Sequence, residues 1–379
     1  MLRSIGKFIA FLFVLLFIIG LPLSLLAFDV GRVVFNPPFM KRLVTDEVTN
    51  SDLLPVVMEW YSERRAQERV DSGEALVGID EPDIVLLMSY LDRNDWKKIK
   101  VEVLTNPILE EWVSISVDGF YDWIDSDDRN PQIAWAMRSF KDRVNSEHGS
   151  NSITIAFNKL PPCTRTEVDD FEARLAANPG EEVLYNLCNF TGWYGANNFD
   201  YGKDQFRQYQ DALTDVVNNI PDQFDLTKEV QNLEDQEGVG PEAIKSELRL
   251  IRFFMTYAWL VPIILILLIV IFAVSSLREF GRWLGVPLIV GGLIALLPTL
   301  VYRPIIHWLL SSGPLSEIPD IIQPEAIRIS NRLAAAAFQP MMIQAIIAMV
   351  LGIALAIFAF VGKKPKKEEP APVPLTPMS

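Results

Sequence analysis

Asp125, Asp127 and Asp128 form the densest carboxylate group in the chain, and clustered oxygens of this kind suit a hard cation such as calcium. A calcium loop counted from Asp125 needs glycine at its sixth position and glutamate at its twelfth, where Asn130 and Ala136 stand, so a solvated turn is the better reading. Cys163 and Cys188 are the two cysteines. With no histidine near either they make no zinc ligand set, which leaves one disulfide, if the compartment is oxidising, or two buried thiols behaving as small apolar groups. His148 and His307 lie far apart without metal-ligand spacing and read as lone, satisfied histidines. Asn189-Phe190-Thr191 is a glycosylation sequon beside Cys188, a three-residue pattern that chance produces often. The chain carries no HExxH, GxSxG, glycine-rich phosphate loop or CxxC. No catalytic residue, cofactor or metal is therefore expected, and the chain reads as a non-enzyme.

The elements around these residues explain the composition. The 379 residues are 50% hydrophobic with a mean hydropathy of +0.21, yet carry a net charge of -14. Four charge-free apolar runs resolve the conflict: 8–28, 253–277, 283–302 and 341–361. Each has about the 20 residues that a helix needs to cross roughly 30 Å of hydrocarbon. The acidic residues gather in the block between the first and second runs, where their charge disfavours nucleic acid or anionic lipid as a partner. The chain thus reads as all-α, with four transmembrane helices and a large, mainly helical extracytoplasmic domain between the first and second spans. The expected order is a cytoplasmic N-terminus over 1–7, an uncleaved signal anchor over 8–28, the outer domain over 29–252, spans over 253–277 and 283–302 joined by a cytoplasmic turn over 278–282, an outer loop with an amphipathic helix over 303–340, a span over 341–361 and a disordered cytoplasmic tail over 362–379. The tail rests on Pro370, Pro372, Pro374 and Pro377 with few apolar residues.

Orientation follows the basic residues at span ends. Arg3, Lys7, Arg278, Arg282, Lys363, Lys364 and Lys366 fall on one side, against Arg32, Arg249, Arg252 and Arg303 on the other. Both termini are then inside a plasma membrane and the large domain outside. Tyr257, Trp259, Tyr302 and Trp308 fit an outer aromatic belt and Trp283 an inner one.

Within the outer block the apolar period is helical. Leu109, Trp112, Val113, Val117, Phe120, Trp123 and Ile124 recur every three or four residues after Asn106-Pro107, with Glu110 and Glu111 expected in the first turn. Thr164 and Glu167 form a capping-box pattern ahead of Val168, Phe171 and Leu175, with a stop at Asn178-Pro179-Gly180. A helix through Phe206, Tyr209, Leu213 and Val217 ends before Pro221, and another begins at Leu53, Val56, Val57 and Trp60. Ile153, Ile155 and Phe157 alternate with polar or small residues, so a short strand is considered there.

Transport needs ionisable groups or broken helices at mid-membrane, and Gln344 is the one strongly polar side chain inside a span. Ala348, Gly352 and Ala356 put small residues at every fourth position of the last span, a helix-packing face within the chain or between copies. At Arg32 with Phe35-Asn36-Pro37, then Leu160-Pro161-Pro162-Cys163-Thr164 and Cys188, the chain resembles a group of uncharacterised bacterial multi-pass membrane proteins. The resemblance implies a bacterial envelope protein with an outward helical domain and a cysteine pair, and brings no activity. The expected partners are the lipid bilayer and a protein partner or a second copy, met through the spans or the outer domain. The leading function is a binding or assembly role of the outer domain; the alternative is a transport-associated, permease-like subunit.

Overall fold

The computed structural model of the chain describes residues 2–72, 84–179, 183–227, 240–315 and 318–360. In chain order the helices are α1 Leu2–Val34, α2 Pro37–Asn50, α3 Leu53–Ser72, α4 Ile84–Met88, α5 Arg93–Val103, α6 Asn106–Asp125, α7 Arg138–Val144, α8 Glu147–Phe157, α9 Arg165–Ala177, α10 Tyr201–Asn219, α11 Pro241–Tyr257, α12 Leu260–Ala273, α13 Leu277–Ser311 and α14 Gln323–Phe360. A single 3-10 turn, Ala196–Asn198, and two three-residue strands, β1 Ala134–Ala136 and β2 Gln223–Asp225, complete the regular structure among the described residues. The all-α class read from the sequence holds. The chain divides into a polar unit, Val33–Arg252 with Pro304–Leu333, and an apolar unit, Met1–Arg32, Phe253–Arg303 and Ala334–Ser379.

In the polar unit the local signals act as their chemistry dictates. Thr164 and Glu167 cap α9 reciprocally, and α9 stops at Ala177 before Asn178. Asp92 and Asp95 form a second capping box at α5, and Asn36 caps α2 by accepting from the Phe39 amide at 3.0 Å. Helices α4, α5, α7, α8 and α10 bury Leu87, Trp96, Ile99, Ile153, Phe157 and Tyr209 in one cluster, each such side chain stabilising by about 1.5–3 kcal/mol. Helix α6 starts at Asn106, so Glu110 and Glu111 lie beyond its first turn rather than in it.

Helix α8 replaces the strand considered at Ile153 to Phe157. Five alternating residues also fit a helix once the buried Gly149 and Ser152 extend the face at spacings of three and four. Gly149 is required there, since a Cβ would lie 1.8 Å from the Val144 carbonyl oxygen. Extended backbone lies instead at β1 and β2, antiparallel with Trp135 opposite Phe224. Strands this short leave no alternation for a sequence pattern to register.

Glu47 of α2 has a side chain only 3% exposed and pairs with Arg328 at 2.5 Å and with Arg332. Arg332 also meets Asp46 at 2.7 Å and Arg328 meets Glu325 at 2.7 Å. A desolvated carboxylate persists only with such partners. The start of α14 is thereby held on the polar unit, one of the two placements open to the expected amphipathic segment.

In the apolar unit, Val14, Phe17 and Leu21 of α1 pack with Ile269 of α12 and Leu284 of α13. Among the described residues three helical stretches are long and apolar enough to cross a membrane: Gly6–Val34, Leu277–Ser311 and Gln323–Ala359. The second expected span is not one helix. It is the pair α11 and α12, bent by 46°, and the break at Ala258-Trp259 falls four residues before Pro262, whose ring excludes the carbonyl at that distance and which donates no backbone hydrogen bond. The expected turn over 278–282 is helix, because α13 begins at Leu277. Helix α13 also continues past Arg303 to Ser311, as Ile305, Ile306, Leu309 and Leu310 prolong its apolar pattern. The separate amphipathic helix and the last span form the single helix α14, which runs through Pro340. Asp29, assigned by sequence to the outer domain, lies on α1 in the apolar unit. Trp283 is partly buried against the bundle cluster. The expected disordered tail over 362–379 and Gly180 of the expected helix stop lie outside the described residues.

The Glu47 network sets an asymmetric prediction. Replacing Arg328 and Arg332 together by Leu leaves Glu47 buried and unpaired, at an expected cost of about 3 kcal/mol. Glu47→Gln releases two arginine side chains that are 39% and 46% exposed and rehydrate, at about 1 kcal/mol. Denaturant unfolding in detergent compares the two, and equal losses would contradict the assignment.

Candidate functional site

The polar unit opens two grooves on either side of the α5–α6 junction. One, of about 420 Å³, is lined by Thr49, Asp52, Lys97, Lys100 and Asn106 among others. The other, of about 440 Å³, is lined by Thr105, Glu111, Asp142, Arg143, Ser146 and His148 among others. Lys97 pairs with Asp52 at 2.8 Å, and the other two cations, Lys100 and Arg143, look like ligand groups but are bound to helix ends. Lys100 donates to the Val48 and Thr49 carbonyls of α2 at 2.6 and 2.7 Å, and burial pushes its ammonium below the usual lysine range, with Asp52 acting in the opposite sense. Arg143 donates through Nε to the Glu102 carbonyl at the end of α5. The last carbonyls of a helix lack internal partners and carry the negative end of its dipole, so both cations serve as caps.

His148 is one of the titratable groups that line the second groove. Its Nδ1, assigned as the protonated nitrogen, donates to Glu102 Oε2 at 2.6 Å. That bond, ahead of weaker help from Asn151 and Arg143, holds the Glu102 carboxyl below the usual glutamate range. Ser146 is the hydroxyl next to it in sequence, but its Oγ donates to the Arg143 carbonyl at 2.6 Å and accepts from the His148 amide at 3.3 Å. As the N-cap of α8 that oxygen is committed, so the Glu–His pair has no aligned nucleophile in it. The groove can hold a polar group; it is not built as an acyl-transfer centre.

Cys163 and Cys188 are joined in a disulfide, so the thiol alternative falls. The bridge lies in a second core with Val168, Phe171, Phe190 and Tyr201. Gln205, fully buried, closes the backbone around it: Nε2 donates to the Cys188 carbonyl at 2.7 Å and Oε1 accepts from the Phe190 amide at 3.1 Å. No sequence pattern pointed to Gln205, because its partners lie 15 and 17 residues away.

The other singled-out residues fall apart in space. Asp125 pairs with Arg252 at 2.5 Å and the Asp128 carbonyl accepts from Lys245 at 2.7 Å, so basic residues of α11 occupy that turn. Among the described residues no group of three or more His, Cys, Asp or Glu is arranged to hold a metal. His307 lies on α13. Gly352 meets Gly285 of α13 so closely that a Cβ on Gly352 would stand 2.8 Å from the Gly285 carbonyl oxygen, and a Cβ on Gly285 2.9 Å from the Ala356 amide nitrogen. Ala348 packs beside the bundle cluster. Gln344 donates to the buried Asp29 at 3.1 Å, a partner that sequence reasoning missed because Asp29 follows directly on an apolar run.

No known protein family, characterised protein or solved structure matches the chain.

Two measurements follow from this geometry. Alkylation of the unfolded, unreduced chain is expected to leave Cys163 and Cys188 unlabelled, and their joint replacement by Ala to cost about 3 kcal/mol for a loop of 25 residues; labelling of both without reductant would refute the bridge. Glu102→Gln tests the histidine pair. Because the folded Glu102 titrates below its ordinary value of 4.5, its contribution is complete above that value and disappears as pH falls through the lower folded one. Wild-type and variant stabilities should therefore converge in acid, and a gap that widens there contradicts the pairing.

Proposed function

We propose that the chain is a multi-pass plasma-membrane protein of the bacterial envelope, with both termini inside and its polar block outside, where it acts by binding or assembly rather than catalysis. The observation that carries this reading is the Cys163–Cys188 disulfide in the core of the polar unit, since such bonds persist on the oxidising side of a membrane. Arg278 and Arg282, just after the α12–α13 turn, agree as inside charges. The resemblance at the Leu160 to Thr164 element supports the bacterial setting. In this reading the bent α11–α12 pair serves as one span, the fourth beside the three straight ones. Commitment of Lys100, Arg143 and Ser146 to helix ends favours a recognition surface over a reaction centre, and the partner is a protein or a second copy.

A transport-associated role is the second reading. The 46° break in the α11–α12 pair favours it, because permeases use discontinuous helices at their working sites. Adjacency of the gene to one for an ATPase, with copurification of that ATPase, separates it from the first reading.

Topology tests the common ground. A reporter active only in the cytoplasm is expected to work when fused after Lys367, and protease added outside spheroplasts to digest the polar block from Val33 to Arg252. Protection of that block inverts the proposal. Crosslinking in mild detergent is expected to capture a partner or a second copy; recovery of monomer alone with measurable turnover would remove the binding role.

A further inference from the structure

Asp29 is the deepest ionisable residue of the apolar unit, 1% exposed on α1. One of its oxygens, Oδ1, accepts from Nε2 of Gln344 on α14 at 3.1 Å. Two atoms of the pair are left over, since Asp29 Oδ2 and Gln344 Oε1 are both buried and neither has a hydrogen-bond partner among the described residues. An ionised carboxylate offers lone pairs alone, and so does an amide oxygen, so the charged form leaves two buried acceptors unsatisfied and a charge without water. Exchanging the amide nitrogen and oxygen of Gln344 does not change this shortage. A proton on Oδ2 does: it makes that oxygen a donor, and Oε1 is the acceptor that completes an acid–amide ring of two hydrogen bonds. One proton thus removes both orphans and the charge together.

We propose that Asp29 and Gln344 form a proton-binding site within the apolar unit, occupied at neutral pH. Loading is the transfer of one proton from a hydronium ion to Oδ2, which forms one O–H bond, breaks one in the donor and leaves water, with no bond broken in the chain.

The surroundings favour the neutral pair. One turn back along α1, Leu25 and Leu26 pack with Ala295 and Leu296 of α13 and with Phe338, Met341 and Ala345 of α14, and Met255 of α11 lies against Gly31. Arg32, three residues on along α1, is the cation nearest in sequence and acts against them by favouring the ionised carboxylate. On α13, Arg303 donates to the Tyr302 hydroxyl at 3.2 Å while the Tyr302 ring stacks on Phe338, and Arg252 of α11 is taken by Asp125. Ionisable groups buried in membrane bundles mark ion or proton pathways, so the site goes beyond the binding role of the polar unit and stands independently of it.

Infrared spectroscopy of the full chain in lipid nanodiscs tests the site. At neutral pH the wild type is expected to show a protonated-carboxyl carbonyl band that is lost in Asp29→Asn. Gln344→Leu, which keeps the acid and removes its partner, is expected to move that band to higher frequency. Asp29→Asn keeps a neutral pair and does not titrate, so the two melting temperatures should match in acid, where Asp29 is protonated both folded and unfolded. The wild type should fall progressively below the variant as pH rises from the ordinary carboxylate range toward the pH at which the folded Asp29 ionises. Identical carbonyl spectra for wild type and Asp29→Asn overturn the proposal. So does a stabilisation of the wild type by sodium over choline that Asp29→Asn abolishes, because the pair would then hold a metal cation.

Discussion

Every helix leaves its last carbonyls without partners, and in the polar unit the closing of those ends decides how the elements meet. Lys100 of α5 closes α2, Arg143 of α7 closes α5, and Lys141 of α7 closes α10 by donating to the Ile220 carbonyl at 2.6 Å. Lys245 and Arg249 of α11 reach the end of α6 and the turn after it, with Arg249 donating to the Ile124 carbonyl at 2.6 Å. Each contact does two things at once: it satisfies an acceptor next to the negative pole of a helix dipole, and it fixes one helix against another. Apolar burial supplies most of the stabilisation, but it is non-directional and does not choose which helix ends adjoin.

The same rule governs the charges left inside. Glu47 and Asp95 are buried carboxylates, and each gathers two cations: Arg328 and Arg332 for the first, Lys159 at 2.5 Å and Lys98 at 3.3 Å for the second. In a domain with so many acidic residues, basic side chains are the scarce component, and most of those described here are held by carbonyls or carboxylates. The grooves at the α5–α6 junction are lined by cations already in use. This is why a cluster that resembles a site by composition functions first as a junction between helix ends.

The apolar unit obeys a different economy. Small residues there let helix backbones approach closely, and α13 and α14 meet where Gly285 faces Gly352. The α11–α12 break shows the cost of proline in such a setting, and Pro340 shows that α14 tolerates one without interruption. Asp29 and Gln344 are the exception to the apolar rule, and hydrogen bonding between them gives two polar groups a common address in the bundle.

Local periodicity and capping chemistry made several elements legible in the sequence. Helices α3, α6, α9 and α10, the Thr164–Glu167 box, the stops before Asn178 and Pro221, and the all-α class were all readable because each depends on residues within one or two turns. The apolar runs were equally legible as membrane-crossing material, although their ends were not. A charged residue does not mark the end of a helix, since α1 carries Asp29 and Arg32 and α13 carries Arg303 without stopping, because backbone hydrogen bonding continues wherever neighbouring helices and side-chain partners accommodate the polar group. Tertiary structure alone decided that Ile153 lies on a helix, that Cys163 meets Cys188, that Glu47 finds two arginines about 280 residues on, and that Gln344 finds Asp29. Those outcomes depend on pairings across long stretches of chain, whose entropy of closure grows only slowly with length, so nothing near either partner in the sequence announces the other.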